Sequence, residues 1–222
     1  MVLEWLWNLL FPPKCPGCER YVEQRGHWCG ECLDRVLRPH LLPLELEMAE
    51  TFQGGIWALG IYEKELRDML RSLKYQQRQS VLPGLHTLVA AGLHMLDEKG
   101  AGLQKDVLAV PVPLHKAKLA KRGFNQSQVI FEKPLARRGL SMADCLLRIR
   151  PTKPQYGLSA AERQKNLHEV FQLAKGASVK GRQVLIVDDI MTTGATLMEC
   201  AKVLREAGAA HITGLVIASG RR

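Results

Sequence analysis

A chain of 222 residues, 46% hydrophobic and 24% charged, is long enough for one α/β core plus a small appendage and has an ordinary globular composition. No apolar run approaches the ~20 residues that a membrane-spanning helix needs, so an integral helical membrane protein is excluded. The formal net charge of +9 is concentrated. Seven Lys/Arg face one acid between Leu114 and Gly139, and five face one acid between Arg148 and Lys165, so the rest is near neutral. Such segments suit a polyanion or a pyrophosphate.

Met1 to Phe11 is apolar and Trp-rich, but it carries Glu4 and lacks a basic start or a small-residue cleavage site before Pro12-Pro13. A short helix packed on the protein is expected rather than a signal peptide, with a cytoplasmic location. Cys15-Pro-Gly-Cys18 and Cys29-Gly-Glu-Cys32 follow, separated by ten residues. Two thiolates per knuckle can meet around one tetrahedral Zn²⁺, and an all-cysteine set predicts a closed, structural site. The alternative, a redox or disulfide framework, suits a cytosolic setting poorly. The first fifty residues hold five bases and eight acids, so this ribbon is not the expected nucleic-acid surface. His27 is expected at the surface or in packing, and Cys145 and Cys200 as buried small hydrophobes.

His40 to Thr51 reads as a linker. Ile56–Tyr62 is predicted as a strand, Glu63–Lys74 and Val81–Glu98 as helices, Asp106–Val112 as a strand, and Asn125–Arg138 as a helix capped by Asn125 or Ser127. A short strand is expected over Cys145–Ile149. Ser159 and Glu162 form a capping box, and the basic, Pro- and Gly-containing run before it suits a mobile lid. Val184–Val187 reads as a buried parallel strand ending in Asp188 and Asp189, followed by a helix over 197–207 and a last strand, Ile212–Ala218. Strands alternating with helices predict an α/β fold with a mainly parallel sheet flanked by helices. The expected division is 1–50 for the helix and ribbon, and 51–222 for the α/β domain.

The most informative stretch is Asp188-Asp189-Ile190-Met191-Thr192-Thr193-Gly194-Ala195-Thr196. Ligands of open α/β sheets bind at the carboxyl ends of strands. Backbone N–H groups at a helix start, Thr hydroxyls and a side-chain-free Gly194 suit phosphate. The paired acids suit a vicinal diol or a metal bound to it. One turn therefore asks for a ribose 5-phosphate.

That stretch resembles the phosphoribosyl-pyrophosphate (PRPP) motif of type I phosphoribosyltransferases. With the cysteine pairs, Leu73-Lys74-Tyr75, Val110-Pro-Val-Pro-Leu-His115, Arg122-Gly-Phe-Asn125-Gln126, and the run from Thr152 to Asn166, the chain resembles the ComF/ComFC/GntX-like family over nearly its whole length. The resemblance implies that Asp188 and Asp189 face the ribose hydroxyls and that Thr192, Thr193, Gly194, Ala195 and Thr196 cradle the 5-phosphate. Mg²⁺ would accompany PRPP. Asp188, Asp189, Lys74 and Arg163 would be the catalytic residues, and Lys74, Arg122, Asn125 and Gln126 would contact pyrophosphate or DNA. It further implies a part in bacterial DNA uptake, competence or use of external DNA. Whether the chain is an enzyme that displaces pyrophosphate from PRPP stays open. The alternative is a non-catalytic binder of single-stranded DNA, with Tyr75, Phe124 and Tyr156 as stacking candidates. The ribbon is a candidate dock for a motor or pore protein of the uptake machinery.

Overall fold

A computed structural model describes residues 10–104, 106–151 and 169–220. The run Val184 to Val187 has no exposed surface, as a strand covered on both faces requires. It lies within β7 (Gln183–Met191), which pairs in parallel with β8 (His211–Ser219) from Gln183↔His211 to Met191↔Ser219. Around this pair stand β1 (Leu37–Leu41), β2 (Ile56–Ile61), β3 (Leu108–Pro111) and β4 (Ser141–Met142). The sheet order is β1-β2-β8-β7-β3-β4, parallel throughout except for antiparallel β1. The expected α/β class with a mainly parallel sheet is what the chain adopts.

Helices cover both faces because their apolar residues recur at helical spacing. On one face lie α3 (Lys64–Gln76), α4 (Leu82–Glu98) and α6 (Gln126–Ala136). Their Leu66, Leu70, Leu73, Leu85, Leu88, Ile130 and Phe131 pack with Leu185, Val187, Leu215 and Ile217. On the other lies α7 (Ala195–Glu206), whose Leu197, Cys200, Ala201 and Leu204 pack with Val184, Ile186, Ile212 and Val216. The described residues also form the α-helices α1 (Gly30–Val36), α2 (Leu46–Thr51) and α5 (Lys116–Arg122).

Three expectations change. The stretch 40–51 is not a linker, since it holds the end of β1 and the whole of α2. The strand over Cys145–Ile149 shortens to β5 (Leu146–Arg148) and leaves the main sheet, pairing antiparallel with β6 (Phe171–Leu173). The central strand does not stop at the paired acids but continues to Met191, because β8 still offers Ala218 and Ser219 as partners. The amino-terminal helix over Met1–Phe11 falls almost wholly outside the described residues, and the capping box at Ser159 and Glu162 lies outside them too.

Among the described residues, the cysteine ribbon has no core of its own. Cys15, Val22, Trp28 and Cys32 belong to the same apolar cluster as α3 and α4. The Trp28 indole donates to the buried carbonyl of Gly84 at 2.8 Å. Gly84 is needed there, since a Cβ would stand 2.9 Å from Cγ of Pro16. The edge strand β1 is blunted: Pro39 has no N–H, Lys99 donates to its carbonyl at 3.0 Å, and the His40 ring donates to the Arg38 carbonyl at 2.8 Å.

Trp28→Phe keeps the ring but strands the Gly84 carbonyl, so urea denaturation is expected to show a loss of about 1–3 kcal/mol. An unchanged midpoint would mean that the ribbon is not fastened at this bond.

Candidate functional site

The carboxylates of Asp188 and Asp189 are held from different elements. Asp189 is 4% exposed. Its Oδ2 accepts from Lys74 Nζ, in the last turn of α3, at 3.3 Å, and its Oδ1 accepts from the N–H of Ile190 at 3.0 Å. Asp188 Oδ1 accepts from Ser127 Oγ, in the first turn of α6, at 2.7 Å and from the N–H of Asp189 at 2.9 Å. Burial, reinforced by the neighbouring Asp189 charge, pushes the Asp188 carboxyl up to about 7 despite these donors and Lys74. Asp189 holds the Lys74 ammonium above its ordinary range, against burial and with help from Asp188.

Further cations gather around this pair. Burial brings Arg122, 8% exposed, below its ordinary value, against the attraction of Asp189. Lys118, on α5, is lowered by desolvation and then by the positive charges of Arg148, Arg122 and Lys74. Arg148, at the end of β5 with its guanidinium 5.5 Å from the Phe171 ring centre, is lowered by burial and raised by Cys200 and Asp188. Three cations close enough to depress Lys118 make a site that gains from a polyanion.

The turn after β7 is shaped by Gly194, whose φ of +84° caps α7. That left-handed backbone is one L side chains rarely adopt, and a Cβ there would also displace the Cε atoms of Met48 and Met191, 2.7 and 2.8 Å away. Thr193 Oγ1 accepts from the N–H of Ala195 at 3.5 Å. Thr192 to Thr196 thus surround the start of a twelve-residue helix, beside the paired acids.

Asn125 and Gln126 face inward. Asn125 caps α6, accepting from the N–H of Ser127 at 3.1 Å, and donates to the carbonyl of Val112 at 3.0 Å. Ser127, the other capping candidate, donates instead to Asp188. Arg122 donates to Oε1 of Gln126. Lys74, Arg122, Asp188 and Asp189 therefore come together, whereas Arg163 lies outside the described residues. Sequence reasoning missed Ser127 as the Asp188 partner and saw Lys118 and Arg148 only as members of basic segments. Their spacing carries no signal, because three separate elements bring them in.

The four cysteines meet as their spacing predicts. Their sulfur atoms all lie within 4.8 Å of one another, and Cys18 Sγ stands 3.6 Å from Cys29 Sγ. Four sulfurs at ~2.3 Å from a tetrahedral Zn²⁺ would be about 3.8 Å apart, so the set fits a structural zinc. The N–H groups of Gly17 and Cys29 donate to Cys15 Sγ at 3.5 and 3.3 Å. Burial raises the Cys15 thiol, but backbone donors from Cys29, Gly17 and Cys18 outweigh it and bring it to about 6. Burial and the three other sulfurs push Cys32 up to about 12. With a cation bound, all four can ionise together.

Residues 6–42 match the double zinc ribbon domain, and residues 117–222 match the phosphoribosyl transferase domain. Over 203 residues the chain is 32% identical to DNA utilization protein YhgH of Salmonella typhimurium, which covers 89% of this chain and 86% of that protein. The chain belongs to this family. Its members include Competence protein F of Haemophilus influenzae, 28% identical over 203 residues (90% of this chain, 82% of that protein). Competence protein ComFC of Streptococcus pneumoniae is 26% identical over 199 residues (89% and 84%). The ComF resemblance expected from the motifs holds, as does the ribbon joined to a phosphoribosyltransferase-type sheet. No helix among the described residues is long and apolar enough to cross a membrane.

Two measurements test this geometry. A carboxyl near 7 in the fold and ~3.9 when unfolded leaves the native state holding a proton that the unfolded chain has released. Stability from this group is therefore lost as pH rises from about 4 to about 7. Melting temperature across that range should fall more steeply for the unsubstituted protein than for Asp188→Asn, and equal slopes would place Asp188 in an ordinary environment. For the cysteines, a thiol-specific mercurial should release about one Zn²⁺ per chain, and finding no metal in protein purified without chelator would argue against the centre.

Proposed function

We propose that the protein is a PRPP-binding, phosphoribosyltransferase-like member of the ComF/YhgH family that serves bacterial DNA uptake or the use of external DNA. The part in DNA uptake is supported by relatives named for competence and DNA utilization, matched over most of both chains. The observation that carries the ligand is the pair Asp188–Asp189, held by Ser127 and Lys74 directly before the Thr192–Thr196 turn.

In this reading the two carboxylates accept hydrogen bonds from the ribose 2- and 3-hydroxyls, and the turn and first N–H groups of α7 hold the 5-phosphate. Asp188 and Asp189, as hard oxygen donors, would hold a Mg²⁺ ion bound together with PRPP, and that ion would supply charge neutralisation. Lys74 and Arg122, with the neighbouring charges of Lys118 and Arg148, attract the pyrophosphate and stabilise it as it leaves. If turnover occurs, the C1–O bond to pyrophosphate breaks with its electron pair on oxygen. A nitrogen nucleophile forms the new bond to C1 and gives up a proton to the departing group or solvent.

A second reading rests on a separate observation. Helix α5 presents Lys116, Lys118 and Lys121 outward, and Tyr75, 72% exposed, ends α3 beside it, tied by Gln77 Nε2 donating to the Lys121 carbonyl at 3.2 Å. A ring beside a row of cations suits single-stranded DNA, with or without catalysis.

The test is calorimetric titration of PRPP with Mg²⁺ into zinc-loaded protein, beside Asp188→Asn/Asp189→Asn. Saturable binding weakened at least about tenfold in the double variant, a loss of about 1.4 kcal/mol, is expected. No binding to the unsubstituted protein would leave the DNA-binding reading, which a steep fall in oligonucleotide affinity with salt would support.

A further inference from the structure

Helix α3 spans the distance between the cysteine centre and the paired acids, and it is fastened at both ends. In its first turn, Glu65 accepts from Arg35 Nη2 at 2.5 Å. The same nitrogen of Arg35 donates to Cys32 Sγ at 3.3 Å. Nine residues further along, about 13 Å at 1.5 Å per residue, Lys74 donates to Asp189. The buried stripe between them, Leu66, Met69, Leu70 and Leu73, packs in one cluster with Cys15, Trp28 and Cys32. At the far end Gln77, at φ +53°, closes the helix and bonds to the carbonyl of Lys121.

We propose that Arg35 is a positioning residue that couples zinc occupancy of the four-cysteine centre to the placement of Lys74 against Asp189. Zinc holds the Cys32 sulfur in place as one of its four ligands, so with zinc bound Arg35 bridges an anchored sulfur and Glu65. Without zinc that sulfur loses its anchor, and Glu65 alone holds the guanidinium. A helix packed as one rigid body passes a change at its first turn to its last. Zinc loading thus fixes the ammonium that neutralises Asp189, and zinc loss frees it. The consequence for PRPP affinity rests on the proposed function above, but the movement of Lys74 does not.

The experiment uses the full zinc-loaded chain with Arg35→Ala and, as a second variant that leaves the sulfur contact intact, Glu65→Gln. Zinc content is measured first. Hydrogen exchange over Lys64–Gln76 and the acetylation rate of Lys74 by an amine-reactive ester are then followed by mass spectrometry. With zinc retained, exchange over the helix and acetylation of Lys74 should each rise about fivefold or more in both variants, within the usual span of coupling between sites. Removing zinc should produce the same rise in the unsubstituted protein. The charge swap Arg35→Glu/Glu65→Arg restores the ion pair but not the donor to Cys32. A merely structural ion pair would be rescued by it, whereas coupling predicts that zinc no longer affects Lys74. Unchanged exchange and acetylation in the zinc-loaded variants, or a swap that recovers the zinc effect, overturns the proposal. If Arg35→Ala loses its zinc, Glu65→Gln decides alone. PRPP titration of the same samples separates the two readings: absent binding with altered Lys74 reactivity removes the proposed function and leaves the coupling standing.

Discussion

Consecutive residues of a strand point to opposite faces of the sheet, so Asp188 and Asp189 cannot share one supporting helix. Asp189 turns toward the layer of α3 and α4 and finds Lys74. Asp188 turns the other way, toward α7 and Cys200, and is reached only because the first turn of α6 brings Ser127 over the sheet end. Two adjacent carboxylates, one buried and one half-buried, repel each other and lose hydration, a combination that is costly unless donors are already in place. Much of the surrounding architecture supplies those donors. Asn125 caps α6 so that Ser127 is free for Asp188, and the left-handed end of α3 sets Lys74 in the turn that faces Asp189.

The ribbon is the counterpart of this arrangement on the other side of α3. A segment of under forty residues rarely encloses a core. This one places Trp28 and two of its cysteines into the cluster that also supports α3 and α4. The metal centre and the sheet are therefore not two modules joined by a tether. Strand β1 makes the same point, since it follows α1 directly and adds to β2 in the main sheet.

The long, strongly periodic elements were legible in the sequence. The buried run of β7, the helix after it and the stripes of α3 and α4 declare themselves by apolar spacing alone. The four-cysteine cluster did so as well, because its geometry is local to two turns. What escaped was short or depended on distant partners. Strand β4 has two residues and is a strand only because β3 lies alongside it. Helix α2 was hidden by a sequence that lacks a strong cap, and its Glu45 N-cap makes no side-chain bond. At the site, Asp188, Asp189 and the Thr–Gly turn were readable because they are contiguous. Ser127, Lys118 and Arg148 were not, since nothing in their local sequence says which strand end they will meet.

Among the described residues, both borders of the sheet are poorly suited to further growth. At one, Pro39 lacks an N–H, and the carbonyls of Arg38 and Pro39 in β1 are taken by the His40 ring and the Lys99 ammonium. At the other, β4 offers two residues, too few for an incoming chain to register against. Recruitment of this protein into a larger assembly by strand addition is thereby disfavoured. Side-chain surfaces are then the better-suited contacts for a companion: the helical surfaces, the outer turns of the ribbon, or the rim of the paired acids.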